Sequence, residues 1–181
     1  WVFMSKKIIF YTFVPFDESK MNRAYYVRIY CLRKAFESLG YKVYFIDGFY
    51  EDRVKKVNNI WKLVEKGEKI EFVYGELPNL PFLLTSKHRF PLVFNNYDLK
   101  FMKFLKSKGV RIGFFLRDLH HLTSAFDYVN YIKKFAYSFF FDLSINKLKN
   151  FIDIFFVPTE RFGELFSHFY KINSIVELPP G

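Results

Sequence analysis

The chain has 181 residues, half of them hydrophobic (51%), one cysteine and a net charge of +10. That length and composition fit one domain with a substantial core and exclude disorder. A single cysteine excludes a disulfide framework or a cysteine zinc site, and no apolar run reaches the roughly 20 residues that span a bilayer. The positive charge is compatible with nucleic acid, anionic lipid or phosphorylated ligands as partners. The joint richness in Lys, Ile, Asn, Phe and Tyr, which AT-biased coding also produces, explains it equally well.

The three residues before Met4 lack the features of a secretory signal, so the domain is read as residues 4–181. Residues 7–14 (KIIFYTFV) form a β-branched and aromatic run bounded by Pro15, a strand buried on both faces. After a polar loop, Tyr25, Ile29, Leu32, Phe36 and Leu39 recur in steps of four and three. That spacing is one face of a helix, stopped by Gly40. Cys31 falls inside this helix and reads as a packed thiol. Residues 41–47 (YKVYFID) are a second strand, and 51–66 a polar helix ended by Gly67. Residues 70–74 (IEFVY) are a third strand.

Residues 75–91 carry three prolines and no period, and read as a long loop with a helical turn. A helix over 96–108 turns Leu99, Met102 and Leu105 inward, and 110–116 (VRIGFFL) is a strand. A long helix over 125–149 is expected to bury Val129, Ile132, Ala136, Phe139 and Leu143. Residues 153–157 (DIFFV) are a strand; Thr159 caps a helix that runs to Tyr170, and 174–178 (SIVEL) is the last strand. Strands alternate with helices throughout, so the fold class is α/β: an open, mainly parallel, Rossmann-like sheet with helices on both faces.

Ligands of such sheets sit beyond the carboxyl ends of the strands. The densest polar cluster there is Arg117-Asp118-Leu119-His120-His121. A carboxylate or imidazole at a strand end can take a proton from a hydroxyl. A turn-capping Asp118 paired with Arg117 is the structural alternative. Two adjacent histidines without a further ligand at suitable spacing do not make a metal site. Thr85 and Ser86 precede Lys87, His88 and Arg89, a loop whose cations and hydroxyls suit a phosphate or acidic sugar, or simply solvent. Arg23 opens the first helix, where backbone N–H groups favour anions. The segment after the first strand lacks G-x-G-x-x-G, and neither G-x-x-x-x-G-K-[ST] nor G-x-S-x-G occurs. Dehydrogenase, P-loop and α/β-hydrolase readings therefore fall.

The strand–loop–helix–strand opening, the strand entering Arg-Asp (IGFFLRDLHH), the strand followed by Pro-Thr (DIFFVPTERF) and the final ELPPG together resemble the N-terminal domain of bacterial GT-B glycosyltransferases. The nearest likeness is to the family-4-like enzymes of surface polysaccharide biosynthesis. The resemblance spans nearly the whole chain. It implies an acceptor-side domain, with the nucleotide-sugar donor held mainly by a C-terminal domain that these residues lack, so this chain alone is expected to be inactive. It also implies a glycan or lipid-linked acceptor, no metal or resident cofactor, and a cytoplasmic setting at the inner face of the membrane. Arg117 and Asp118 would then lie at the interdomain cleft. Arg117 stands where the family often carries a histidine, which leaves the base open between Asp118 and His120. The family's glycine-rich loop after the first strand is missing.

Tyr128, Tyr131, Lys133, Lys134, Tyr137 and Lys147, on or near the long helix, raise an anionic membrane surface as a partner. Core aromatics with ordinary surface lysines read the same residues differently. Two other readings stay open: a binding subunit paired with a separate catalytic partner, and a nucleic-acid-binding α/β module. The second lacks any RNA-recognition signature or basic recognition helix.

Overall fold

A computed structural model describes residues 5–87, 96–119 and 130–179. It contains six strands: β1 (Lys7–Thr12), β2 (Lys42–Ile46), β3 (Phe72–Glu76), β4 (Arg111–Phe115), β5 (Ile154–Val157) and β6 (Ile175–Glu177). Five helices alternate with them: α1 (Ala24–Ser38), α2 (Tyr50–Glu65), α3 (Tyr97–Ser107), α4 (Tyr131–Leu148) and α5 (Glu160–Tyr170). The strands form one open sheet in the order β2-β1-β3-β4-β5-β6, and every pair is parallel. This is the α/β class that the alternation of apolar runs predicts.

The chain leaves β1 toward β2 and then reverses to build β3 through β6 on the other side. Right-handed crossovers convert that reversal into an uneven coat. On one face α1, alone among the described helices, lays Tyr25, Ile29, Leu32 and Phe36 over Phe10, Phe72, Tyr74 and Phe115. On the other face α2, α3, α4 and α5 bury the larger core around Tyr11, Val73, Phe114 and Phe155. The strand order reverses between β1 and β3, and ligands of such sheets bind beyond the carboxyl ends at that point.

Local chemistry sets the element ends. Gly40, Gly67 and Gly109 follow α1, α2 and α3 with positive φ, which a residue with a Cβ adopts only at a cost. The Thr159 side chain accepts from the Phe162 N–H and starts α5, as its position after Pro158 predicts. The helical turn expected in residues 75–91 is a short 3₁₀ segment, Phe82–Leu84.

Four expectations need correction. The third strand does not stop at Tyr74: it continues through Gly75 and Glu76, so Glu76 is a buried strand residue. Gly75 remains in the ladder because the Phe114 ring of β4 fills the space its side chain would need. Leu39 is exposed at the end of α1, beyond the last turn that meets the sheet. Cys31 is exposed, because its side of α1 faces a groove that no helix covers among the described residues. Finally, α4 buries Phe141, Ser144, Ile145 and Leu148 and leaves Ile132 and Phe139 exposed. Its first half carries apolar residues on several sides, so a 3.6-residue period alone cannot choose the inward side. Val129 lies outside the described residues.

Candidate functional site at the carboxyl edge

Thr12 and Glu76 are register partners at the ends of β1 and β3, where the strand order reverses. Both are buried. A buried carboxylate must be paired, and α1 supplies the partner. Arg28 places its Nε 3.0 Å from Glu76 Oε1, and Tyr74 Oη donates to the same oxygen at 2.6 Å. The Arg28 guanidinium also donates to Tyr74 Oη and to the Pro179 carbonyl, each at 3.3 Å, and lies 3.9 Å from the centre of the Phe115 ring. One arginine thus ties α1, β3, β4 and the segment after β6 together. Burial pushes the Glu76 carboxyl above its ordinary value; the hydrogen bond from Tyr74 and the charge of Arg28 oppose that rise.

Arg117 and Asp118 stand next to this unit, one strand over, where β4 ends. Arg117 Nε donates to Asp118 Oδ2 at 2.8 Å, and both side chains are about 30% exposed. The Arg117 guanidinium lies 5.4 Å from the centre of the Tyr25 ring, in the first turn of α1. The aromatic face and the carboxylate hold the planar cation in place while leaving donors toward solvent. Tyr25 is largely buried there, and its hydroxyl has no hydrogen-bond partner of good geometry among the described residues. Burial is the main reason its ionisation is suppressed, and nearby Glu76 adds to it.

Arg28 and Arg117 also border a groove of about 520 Å³ beside α1, which Ala24, Val27, Cys31 and Leu178 line with apolar surface. A hollow of similar volume lies at the opposite, amino edge of the sheet, among Glu65, Glu68, Lys69 and Lys108. The carboxyl-edge groove is the better candidate, because that end of a parallel sheet carries the free loops and strand-end functional groups.

The loops around the site are pinned from below by a second buried unit. Arg53 of α2 is fully buried; it donates to Asp98 Oδ2 at 2.7 Å, to Thr85 Oγ1 at 2.9 Å, and to the carbonyls of Phe13 and Gly48 at 2.6 Å each. Tyr11 Oη bonds the other Asp98 oxygen. One guanidinium therefore fixes the segments following β1, β2 and β3. Burial, together with the Asp98 charge, drives the Tyr11 hydroxyl well above its ordinary range.

The residues singled out in the sequence separate in space. Arg117 and Asp118 come together with the Arg28–Glu76 pair. Lys87 does not join them: its Nζ lies 2.9 Å from Asp52, and its backbone N–H donates to Glu51 at 3.1 Å. Acidic groups of α2 are thus the partners of a lysine whose loop the sequence left open between phosphate, acidic sugar and solvent. Arg23 is exposed at the N-cap position of α1, where its carbonyl accepts from Tyr26 and Val27. His88, Arg89, His120 and His121 lie outside the described residues. Sequence reasoning passed over Arg28, Arg53 and Asp98, three charged residues inside amphipathic helices. Their signal was available: Arg28 precedes the core residue Ile29, and Asp98 precedes Leu99.

Among the described residues, no three His, Cys, Asp or Glu side chains gather as a metal-binding group. The chain matches no protein-family model, no curated protein and no solved structure. Chemically, the edge offers a fixed guanidinium, a half-exposed carboxylate able to accept a proton, and an adjoining apolar groove.

Proposed function

We propose that this chain is the acceptor-side domain of a two-domain glycosyltransferase. In this reading a second Rossmann-like domain holds the nucleotide-sugar donor, and the acceptor is a glycan or a lipid-linked sugar. The observation that carries the reading is the Arg117–Asp118 pair at the carboxyl edge, one strand from the point where the strand order reverses. Arg117 binds acceptor hydroxyls through its free N–H donors, and Asp118 accepts the proton of the attacking hydroxyl. The buried Arg28–Glu76–Tyr74 unit contributes no proton; it fixes the wall against which the pair stands. The glycine-rich loop that the resembled family carries after its first strand is absent here, so contact with the donor phosphates is left to the partner domain in this proposal. The resemblance in the IGFFLRDLHH, DIFFVPTERF and ELPPG segments supplies the reaction class.

The test is a transfer assay. This domain, joined to or mixed with its donor-binding domain, is incubated with a panel of nucleotide sugars and with glycan and lipid-linked acceptors. Acceptor-dependent release of nucleoside diphosphate, absent when this chain is assayed alone, is the expected result. Release by this chain alone, or none in any combination, would count against the reading.

A further inference from the structure

Two polar groups of the carboxyl edge are buried with hydrogen-bonding capacity to spare. Glu76 is 1% exposed, and its hydrogen bonds from Arg28 and Tyr74 both fall on Oε1. A carboxylate accepts at each oxygen, so Oε2 is open to a further donor. The Tyr25 hydroxyl is buried without a hydrogen-bond partner of good geometry among the described residues. Thr12, beside it, sends its own hydroxyl hydrogen to the Val14 carbonyl at 2.9 Å. The two groups belong to one place: Thr12 and Glu76 are register partners, and the charges of Glu76 and Arg117 both act on the Tyr25 hydroxyl. The Arg117 guanidinium lies 5.4 Å from the centre of the Tyr25 ring. A buried hydroxyl without a partner is costly, and a phenylalanine would present the same ring without that cost.

We infer that Tyr25 and Glu76 are specificity-determining residues that hold one hydroxyl of the acceptor, the neighbour of the hydroxyl presented to Asp118. The chemistry of the two groups selects that ligand. A hydroxyl donates to Glu76 Oε2 and accepts from Tyr25 Oη at once. A phosphate or carboxylate would meet the like charge of Glu76, and an ammonium has no lone pair to accept from tyrosine. The edge also holds no surplus charge to draw an ion, since Arg28 is paired with Glu76 and Arg117 with Asp118. A sugar carries hydroxyls on adjacent carbons, so it presents one to Asp118 and the next to this pair. Access runs through Arg117. Its side chain is 29% exposed, and Asp118 is its one hydrogen-bond partner among the described residues. Turning the guanidinium onto the ligand uncovers the Tyr25 hydroxyl. The inference rests on the acceptor-domain reading and adds to it that the acceptor is recognised as a vicinal diol. Glu76 accepts a hydrogen bond in this role and moves no proton.

The experiment is the transfer assay in the protein complete with its donor-binding domain. The substrates are the sugar that it accepts and the monodeoxy analogues that each lack one hydroxyl beside the reacting one. Wild type, Tyr25→Phe and Glu76→Gln are compared. Wild type is expected to lose about 30-fold or more in kcat/KM on one analogue, because the missing hydroxyl strands a buried donor and acceptor. In Tyr25→Phe the intact sugar loses about tenfold, and removing that hydroxyl then costs about threefold or less, since both changes delete one interaction. Its melting temperature equals or exceeds that of wild type. Glu76→Gln shows the same narrowing, and Tyr25→Phe carries the test alone where Glu76→Gln fails to fold. Three results overturn the inference and leave the acceptor reading intact: no analogue penalised in wild type, Tyr25→Phe discriminating as wild type does, or Tyr25→Phe losing every acceptor by one common factor. Wild type that transfers to no acceptor overturns both.

Discussion

Arg53 shows how much one buried side chain can organise. Its two strongest obligations, to Asp98 and to the carbonyls of Phe13 and Gly48, are met without water. Replacing it with Met removes the guanidinium that pairs with the buried Asp98 side chain. Chemical denaturation of Arg53→Met is expected to show a loss of about 3–5 kcal/mol. Adding Asp98→Asn should cost less than the sum of the single changes, because the two side chains act as one unit. Full additivity would mean that the pair is not coupled. Glu76 makes a prediction in pH. Its folded carboxyl binds a proton more tightly than the unfolded chain, whose value is near 4.5. The stability it contributes is therefore complete below about 4.5 and lost as pH rises through its raised folded value. Wild-type stability relative to Glu76→Gln should fall with rising pH across that window; a level difference would contradict the assignment.

Among the elements, β3 and α4 are the instructive ones. At β3 the glycine that reads as a loop signal is a packing device: the Phe114 ring lies where a Cβ at Gly75 would be. Gly75→Ala is expected to cost about 1–3 kcal/mol in thermal or denaturant unfolding, with the ladder to β4 disturbed rather than a turn. No loss of stability would mean that Phe114 has room to move aside. The sequence could not announce this, since a glycine inside a strand and one beginning a loop are the same letter until the neighbouring strand is known. The other limit of the sequence was α4. Its existence and its end were readable, but its inward side was not, because YIKKFAYSFFF offers apolar residues at nearly every angle. By contrast α3 turned Leu99, Met102 and Leu105 inward as expected, since lysines mark its outer side.

At the scale of the molecule, alternation of apolar strands with helices was enough to read a parallel α/β sheet, and that rule also located Arg117 and Asp118 at a strand end. Strand order was not legible, because it depends on which way each crossover turns. The consequences of that order are the central features here: the meeting of Thr12 and Glu76, the face on which α1 is the sole described helix, and the exposure of Cys31. The ion pairs at the edge were hidden for a related reason. Arg28 and Glu76 lie far apart in sequence and meet only because β1 and β3 are neighbours with α1 above them. The proposed function rests on the partly exposed pair at the end of β4 acting on a substrate hydroxyl. The most direct measurement is the sugar-transfer turnover of Asp118→Asn beside wild type, in the protein complete with its donor-binding domain. The proposal predicts a fall of roughly 10²–10⁴-fold in kcat with a small change in melting temperature. Turnover close to wild type, or a loss of activity that merely follows unfolding, would contradict it.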